Sequence, residues 1–494
     1  MNTAFINGKI YCSFKPLKVV EAMLIENGRI KFLGRREEIL KLCKDSTEIV
    51  DLDGKVVIPG FVDTHVHLDE LGIFLNSLNL RDAESIDDLK RRLKEFAKRC
   101  KTYWIIGYGW DQELLGRYPT KNDLDEVVKD RPVLLSRFCL HAGVVNSKAI
   151  EICEMHKFNK PFIDLERGIV KEFAYSLVRR KVRESFSRNE LKYILKSAMD
   201  HVLSFGVTSV GFMGCRKEIF EILKEMNLNL RVFVYTRDFY EKFSNCCLNV
   251  KGVKVFLDGS LGVKTALLSE PYEDDDTCGC QLMDEYELEK IVRDAERKGY
   301  QVALHAIGDR AIDLALNVLE KVKGRNRIEH ASVLRDDQVE RLSKIDVVIS
   351  VQPHFIEGDW WIVKRLGKRT RWVYRIRSLL ERGIKVGFGT DAPVEPVNPW
   401  ETVYYAVTRG KYEGLEIYDF TRDEVISVQD ALNCYTINSA YVLMEEGNIG
   451  SLEVGKFADF IILDKDPLEI DEKDLKKIKV LKTFVNGKLV NECY

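Results

Sequence analysis

The stretch Val56-Val57-Ile58-Pro59-Gly60-Phe61-Val62-Asp63-Thr64-His65-Val66-His67 is an apolar run that closes on two histidines. It reads as a strand over 56–67. Side chains at i and i+2 of a strand point the same way, so the His65 and His67 imidazoles can converge on one ion. Beyond it, short apolar runs alternate with amphipathic helical stretches as far as about Asn438. That is the pattern of repeated βα units around a parallel sheet or barrel. Further strands are expected at 207–212, 230–236, 253–258, 301–306, 327–331, 347–352 and 385–390. With the first they make eight, and eight such units close a (β/α)8 TIM-like barrel.

The remaining chemistry falls at the ends of these runs. His305 lies in Leu304-His305-Ala306-Ile307-Gly308-Asp309, His330 ends Ile328-Glu329-His330, and Asp391 ends Phe388-Gly389-Thr390-Asp391. The C-terminal ends of the strands are where such a barrel gathers its catalytic residues. Nitrogen and oxygen ligands without thiolate suit Zn²⁺ first, and also Mn²⁺, Fe²⁺ or Ni²⁺. One or two divalent ions are the expected cofactor. His156 and His201 fall on helical stretches and read as ordinary residues. Lys254, in Val253-Lys254-Val255-Phe256, is expected inside the fourth strand, where burial disfavours an ammonium. Two readings stand for it. It is a buried cation bonded to a carbonyl or carboxylate, or a neutral amine that takes up CO2 to become a carbamate able to bridge two ions.

Residues 69–189 interrupt the barrel after its first strand. This α+β insertion carries a helix over Ser85–Cys100 and strands around Tyr103–Gly107 and Pro132–Leu135. Because it leaves from the top of the first strand, it is expected beside the active-site face as a lid or specificity element. Its His141, Trp110, Asp111 and Glu172, with His354 after the seventh strand, are the candidate substrate contacts.

The two ends share another texture. Asn7-Gly8, Asn27-Gly28 and Asn486-Gly487 each sit between apolar runs, and Asn-Gly supplies the φ > 0 pair of a type I′ hairpin. Ala458–Leu463 adds a strand. A small β-sandwich built from 1–55 and 440–494 is therefore expected, with the barrel (56–68 and 190–439) inserted between its halves.

A chain of 494 residues exceeds one ordinary core, and 45% hydrophobic with 31% charged residues fits a soluble globular protein. The net charge is −2 with no basic stripe, so nucleic acid is not an expected partner. No apolar stretch reaches membrane-spanning length, and the start MNTAFINGKIYCSF lacks the pattern of a secretory leader. The cytoplasm, a small-molecule substrate and a homodimer are the expectations. The 12 cysteines are scattered. Cys246-Cys247 and Cys278-x-Cys280 are the only clusters, and neither has the spacing of a structural zinc site. A Cys278–Cys280 disulfide or a plain loop is expected there.

Several motifs carry a family resemblance that spans most of the chain. Ile58-Pro59-Gly60-Phe61-Val62-Asp63-Thr64-His65-Val66-His67 resembles the opening motif of the amidohydrolase superfamily. Asp258-Gly259-Ser260-Leu261-Gly262, His305-Ala306-Ile307-Gly308-Asp309-Arg310-Ala311 and Gly389-Thr390-Asp391-Ala392-Pro393-Val394 are similar to its branch called amidohydrolase family 3, which includes N-substituted formamide deformylase-like metal-dependent hydrolases. Gly107-Tyr108-Gly109-Trp110-Asp111 and His141–Ala149, inside the insertion, are also similar to that branch. The closing Gly450–Asp459 is shared more widely. The resemblance implies that His65, His67 and Asp391 bind the more buried ion and that His305 and His330 bind a second. It also implies that Lys254 bridges them as the carbamate, in a setting similar to the bridging-lysine strand of hydantoinases. Asp391 would serve as general base and then acid.

The implied activity is hydrolysis of a carbon–nitrogen bond in an amide, N-formyl compound or cyclic amide. An ion in such a site brings the pKa of its water near 7. Barrels with this ligand set also cleave esters, lactones and phosphoesters, so an esterase or lactonase is the alternative. Some relatives of this kind have lost their ligands and serve as scaffolds; the full ligand set argues against that reading here.

Overall fold

The computed structural model describes residues 2–137, 142–157, 162–237 and 241–493. They fall into two units, Met1–Leu68 with Met199–Tyr494, and Asp69–Ala198. Unit one carries an eight-stranded parallel sheet whose strands follow chain order. We label them β1 (Phe61–Val66), β2 (Val207–Cys215), β3 (Arg231–Thr236), β4 (Leu248–Phe256), β5 (Gln301–Ala306), β6 (Asn326–His330), β7 (Val347–Val351) and β8 (Lys385–Phe388). Seven of the eight junctions are parallel ladders. The barrel closes between β1 and β8 through backbone bonds from the Asp391 N–H to the His65 carbonyl (2.7 Å) and from the His67 N–H to the Ala392 carbonyl (2.9 Å), and through a side-chain bond from the Thr64 hydroxyl to the Phe388 carbonyl (3.0 Å). Val62, Met213, Phe233, Tyr235 and Ala303 form a buried cluster with Ala440, Leu443 and Ile449.

The run 56–67 is two strands, not one. Val56–Pro59 pairs with Lys9–Phe14 and Phe460–Leu463 in a six-stranded sheet, and β1 begins after Gly60. The chain changes sheets at Gly60, where any Cβ would stand 2.3 Å from Thr208. The fourth strand also differs from expectation. It runs Leu248–Phe256, so Leu257 and Asp258 lie beyond it and Lys254 is two residues from its end.

Both termini do build β structure. The six-stranded sheet joins Lys488–Glu492, Val480–Val485, Phe460–Leu463, Val56–Pro59, Lys9–Phe14 and Leu17–Val20, and a four-stranded sheet joins Arg29–Gly34, Ala22–Glu26, Asn2–Ile6 and Thr47–Asp51. One buried cluster contains residues of both, with Phe5 edge-on to Phe460 (5.1 Å) and Phe484 (5.4 Å). Asn27-Gly28 and Asn486-Gly487 close antiparallel hairpins, each with both residues at positive φ. Asn7-Gly8 does not. Only Asn7 has positive φ, so the I′ geometry is unavailable, and Asn2–Ile6 and Lys9–Phe14 enter different sheets.

The second unit has a mixed six-stranded sheet whose parallel part is Leu78–Asn79, Ile105–Trp110 and Val133–Arg137. Its helix Ile86–Arg99 starts at Ser85, whose hydroxyl accepts the Asp88 N–H, and ends in Lys98-Arg99, the charge order a helix dipole favours. Leu89, Leu93 and Phe96 bury that helix against the sheet. Cys278 and Cys280 are free thiols in a loop, so the disulfide reading is wrong. Among the described residues no helix is long and apolar enough to cross a membrane.

Candidate metal centre

His65 is the penultimate residue of β1, His330 ends β6 and Asp391 follows β8, and one ligand atom from each lies within 4.8 Å of the others. All three residues are buried. His330 (φ 73°) and Asp391 (φ 59°) hold left-handed backbone conformations. Such a conformation costs an L-residue about 1–3 kcal/mol and is kept where the surroundings over-determine it, often at functional sites. His67 Nε2 lies 3.0 Å from Asp391 Oδ1, and His65 Nε2 lies 3.4 Å from the same oxygen. Lys254 Nζ is 3.4 Å from His65 Nε2. The His305 ring lies 4.5 Å from the His330 ring. The structure thus brings together all six residues expected to bind metal.

The surroundings orient each imidazole. His65 Nδ1 is 2.6 Å from Glu329 Oε2, His67 Nδ1 is 3.1 Å from the Met213 carbonyl, and His330 Nδ1 is 2.8 Å from Gln352 Oε1. Each partner is an acceptor, so Nδ1 carries the proton and Nε2 keeps its lone pair facing inward. His305 is reversed: its Nε2 donates to the Gly259 carbonyl at 3.0 Å, which leaves Nδ1 as the lone-pair nitrogen. Burial, then the charge of Lys254, pushes His65 well below the ordinary histidine range. Burial lowers His330 to about 4 and His305 well below its usual value. These rings are neutral at pH 7, as ligands must be.

Burial would raise the Asp391 pKa, but the positive charge that His65 and His67 carry when protonated holds the carboxyl well below the usual carboxylate range. Its buried Oδ1 has no hydrogen-bond partner. A buried ionised oxygen ringed by imidazole lone pairs is costly unless a cation completes it. The donor set therefore fits a divalent ion. Lys254 is also buried, and burial pushes its amine down to about 8.

Residues that the motif reading passed over support this arrangement. Glu329 is held by Arg327, whose Nη2 reaches Oε2 at 2.9 Å and also bonds the Thr64 carbonyl at 2.9 Å. Arg327-x-Glu329 on one strand face was the available signal, since charges at i and i+2 of a barrel strand share a side. Asp63 accepts the N–H groups of His65 (3.0 Å) and Thr390 (3.1 Å) and the Thr390 hydroxyl (2.7 Å). It therefore ties β1 to the end of β8 at the thin seam. Asp258 accepts the N–H groups of Leu267, Ile307 and Gly308 at 2.8–3.0 Å, pinning the loop after β4 to the loop after β5.

The other expected contacts are placed as follows. His354 is buried, with Nδ1 2.6 Å from Glu395 and Nε2 3.1 Å from Glu401. Burial would lower its pKa, but those carboxylates raise it to about 9, so it is a cation held between acids. Trp110 is enclosed in the core of the second unit, its Nε1 donating to the Leu135 carbonyl at 2.8 Å. Asp111 caps the short helix Gln112–Leu115. Glu172 opens helix Glu172–Ser185 with φ 43°. His141 lies outside the described residues.

Comparison with known proteins meets this geometry. Residues 48–491 match the amidohydrolase family. The chain is 32% identical to the putative amidohydrolase YtcJ of Bacillus subtilis, over 100% of both chains. It is 24% identical to the N-substituted formamide deformylase of Arthrobacter pascens, over 95% of this chain and 94% of that one. The crystal structure of an uncharacterized metal-dependent hydrolase from Pyrococcus furiosus superposes with a TM-score of 0.88 at 41% identity, covering 95% of this chain and 100% of that one. Match, barrel and ligand cluster agree, and the chain belongs to the amidohydrolase family as a hydrolase.

Proposed function

We propose that the protein hydrolyses a carbon–nitrogen bond other than a peptide bond, in an amide, N-formyl compound or cyclic amide. The observation that carries this reading is the convergence of His65, His330 and Asp391 around an unpartnered buried carboxylate oxygen. The name of the Arthrobacter relative, an N-substituted formamide deformylase, supports the choice of bond. Divalent ions, Zn²⁺ being the proposed choice, would be held by His65, His67 and Asp391 on one side and His305 and His330 on the other. Lys254 would lie between them as a carbamate. Its buried amine near the pKa of a neutral nucleophile, facing His65, supports that modification.

When bound, such ions supply a water acidified to near-neutral pKa and polarise the scissile carbonyl. The protein's own groups do the rest. Asp391 accepts the proton of the attacking water and later delivers it to the leaving nitrogen, as general base and then acid. Glu329 and Gln352 fix the tautomers of His65 and His330. Asp63 ties the His65 backbone to Thr390, the residue before Asp391.

The test is a substrate panel on metal-loaded protein, comparing formamides, N-acyl amines and cyclic amides with matched esters and lactones. Turnover of C–N substrates, lost in Asp391→Asn, is expected. Turnover confined to esters or lactones would overturn the proposed bond class.

A further inference from the structure

The barrel carries one pair of adjacent thiols that hydrolysis does not use. Cys246 and Cys247 precede β4, at the end of that strand remote from Lys254. Cys246 is exposed and Cys247 buried, and their Sγ atoms lie 3.4 Å apart. The turn that presents them is braced. Asn245 Oδ1 accepts the N–H groups of Cys247 (2.8 Å) and Leu248 (2.7 Å), while its own N–H donates to the Leu248 carbonyl at 2.9 Å. Arg231 Nη1 donates to the Cys246 carbonyl. The same guanidinium bonds Asp459 Oδ1 (3.0 Å) and Asn486 Oδ1 (2.6 Å) and stacks 3.7 Å over Phe457. The 246–247 peptide is thereby wired to the joint between β3 and the C-terminal strands.

We propose that Cys246 and Cys247 form a reactive vicinal dithiol, a modification site that small-molecule disulfides oxidise to a vicinal disulfide. The exposed Cys246 thiolate attacks one sulfur of the oxidant RSSR, forming a Cys246–S–S–R mixed disulfide and expelling RS⁻. The Cys247 thiolate then attacks Cys246 Sγ, expelling the second RS⁻ as the Cys246–Cys247 bond closes. Two protein thiols lose two electrons, RSSR gains them, and the two thiol protons end on two RSH. Burial holds the Cys247 thiol up to about 11, so Cys246 reacts first and Cys247 resolves. The second step is intramolecular between sulfurs already in contact, which offsets the small thiolate fraction.

Ring closure has a structural consequence. An S–S bond is about 2.05 Å long, so the sulfurs approach by roughly 1.4 Å from their 3.4 Å separation. Adjacent Cα atoms are about 3.8 Å apart, short of the roughly 4.4–6.8 Å of ordinary disulfides. The ring must therefore turn the 246–247 peptide, whose carbonyl is the acceptor for Arg231. A constrained, exposed disulfide is readily reduced, which suits a reversible switch rather than a permanent staple.

The test uses the reduced full-length protein and 4,4′-dithiodipyridine as the oxidant. Wild type is expected to release two equivalents of thiopyridone from this pair in the fast phase, and the peptide spanning 246–247 should lose two hydrogens. Cys247→Ser should release one and stall as the mixed disulfide on Cys246; Cys246→Ser should lose this pair's share of the fast phase, leaving that of the exposed Cys280 and Cys493. Oxidised wild type should melt about 2 °C lower, with dithiothreitol reversing the shift and neither variant showing it. An unaltered fast phase in Cys246→Ser, or separate pyridyl caps on both cysteines, would overturn the dithiol. A ring that forms without moving the melting midpoint would overturn its coupling to Arg231.

Discussion

Glu329→Gln removes one charge from a site with no solvent to replace it. Glu329 and Arg327 are 0% exposed and His65 is 1% exposed. The carboxylate accepts from Arg327 Nη2 at 2.9 Å and faces His65 Nδ1 at 2.6 Å. An amide in its place leaves the Arg327 guanidinium buried without a counter-charge. Breaking a buried pair on one side costs about 3–5 kcal/mol. It also replaces the carboxylate that accepts from His65 Nδ1 with a neutral amide, a weaker acceptor with one oxygen instead of two, and losing such a charged partner typically lowers metal affinity about 10–100-fold. The two effects separate with a second variant. Arg327→Leu with Glu329→Gln removes both charges, so stability should largely return while metal affinity should not. Urea midpoints of the chelated protein report the first quantity, and competition against a chromogenic zinc chelator reports the second. Zinc binding by Glu329→Gln within twofold of wild type, or a double variant less stable than the single, would refute these roles for Glu329.

Three further outcomes are expected. Asp391→Asn should cut kcat by about 10²–10⁴-fold, the usual worth of a general base, with near-native circular dichroism; a loss under tenfold would remove Asp391 from proton transfer. Asp63→Ala strips the acceptor from three buried donors at the β1–β8 seam, at about 1–3 kcal/mol for each group left unpaired. It should lower the melting midpoint and loosen metal together, and an unchanged melt would refute the seam role. His354 is raised from 6.5 to about 9, so its contribution is complete below about pH 6.5 and is lost as pH rises through about 9. That shift corresponds to roughly 3 kcal/mol; His354→Gln should flatten the fall in denaturation midpoint across this window, and a parallel fall in both proteins would count against it.

The barrel was legible because its strands are buried on both faces and read as apolar runs that helical stretches separate. Strand ends were less legible where packing decided them. Gly60 marks a change of sheet only because Thr208 stands against it, and β4 starts before its apolar signal because Leu248 and Asn249 pair with β3. Asn7-Gly8 has the same letters as two true hairpins, but its flanking strands find partners in separate sheets. In the site, the ligands stood out because histidine is scarce and each lies at a strand end. Their supports did not. Glu329, Arg327, Gln352 and Asp63 each reach the site through a partner distant in sequence, His65, Thr64, His330 and Thr390 in turn, and a charged residue in a strand looks alike whether it faces a barrel lumen or solvent.

The metal centre is open to a direct measurement, metal per chain. Elemental mass spectrometry would be run on protein purified without added metal or chelator, with His65→Ala and Lys254→Ala in parallel. Near two equivalents are expected in wild type, falling in both variants. One equivalent that survives Lys254→Ala would contradict the bridge. No bound metal, and no activity gained on adding Zn²⁺, Mn²⁺ or Co²⁺, would contradict the centre itself.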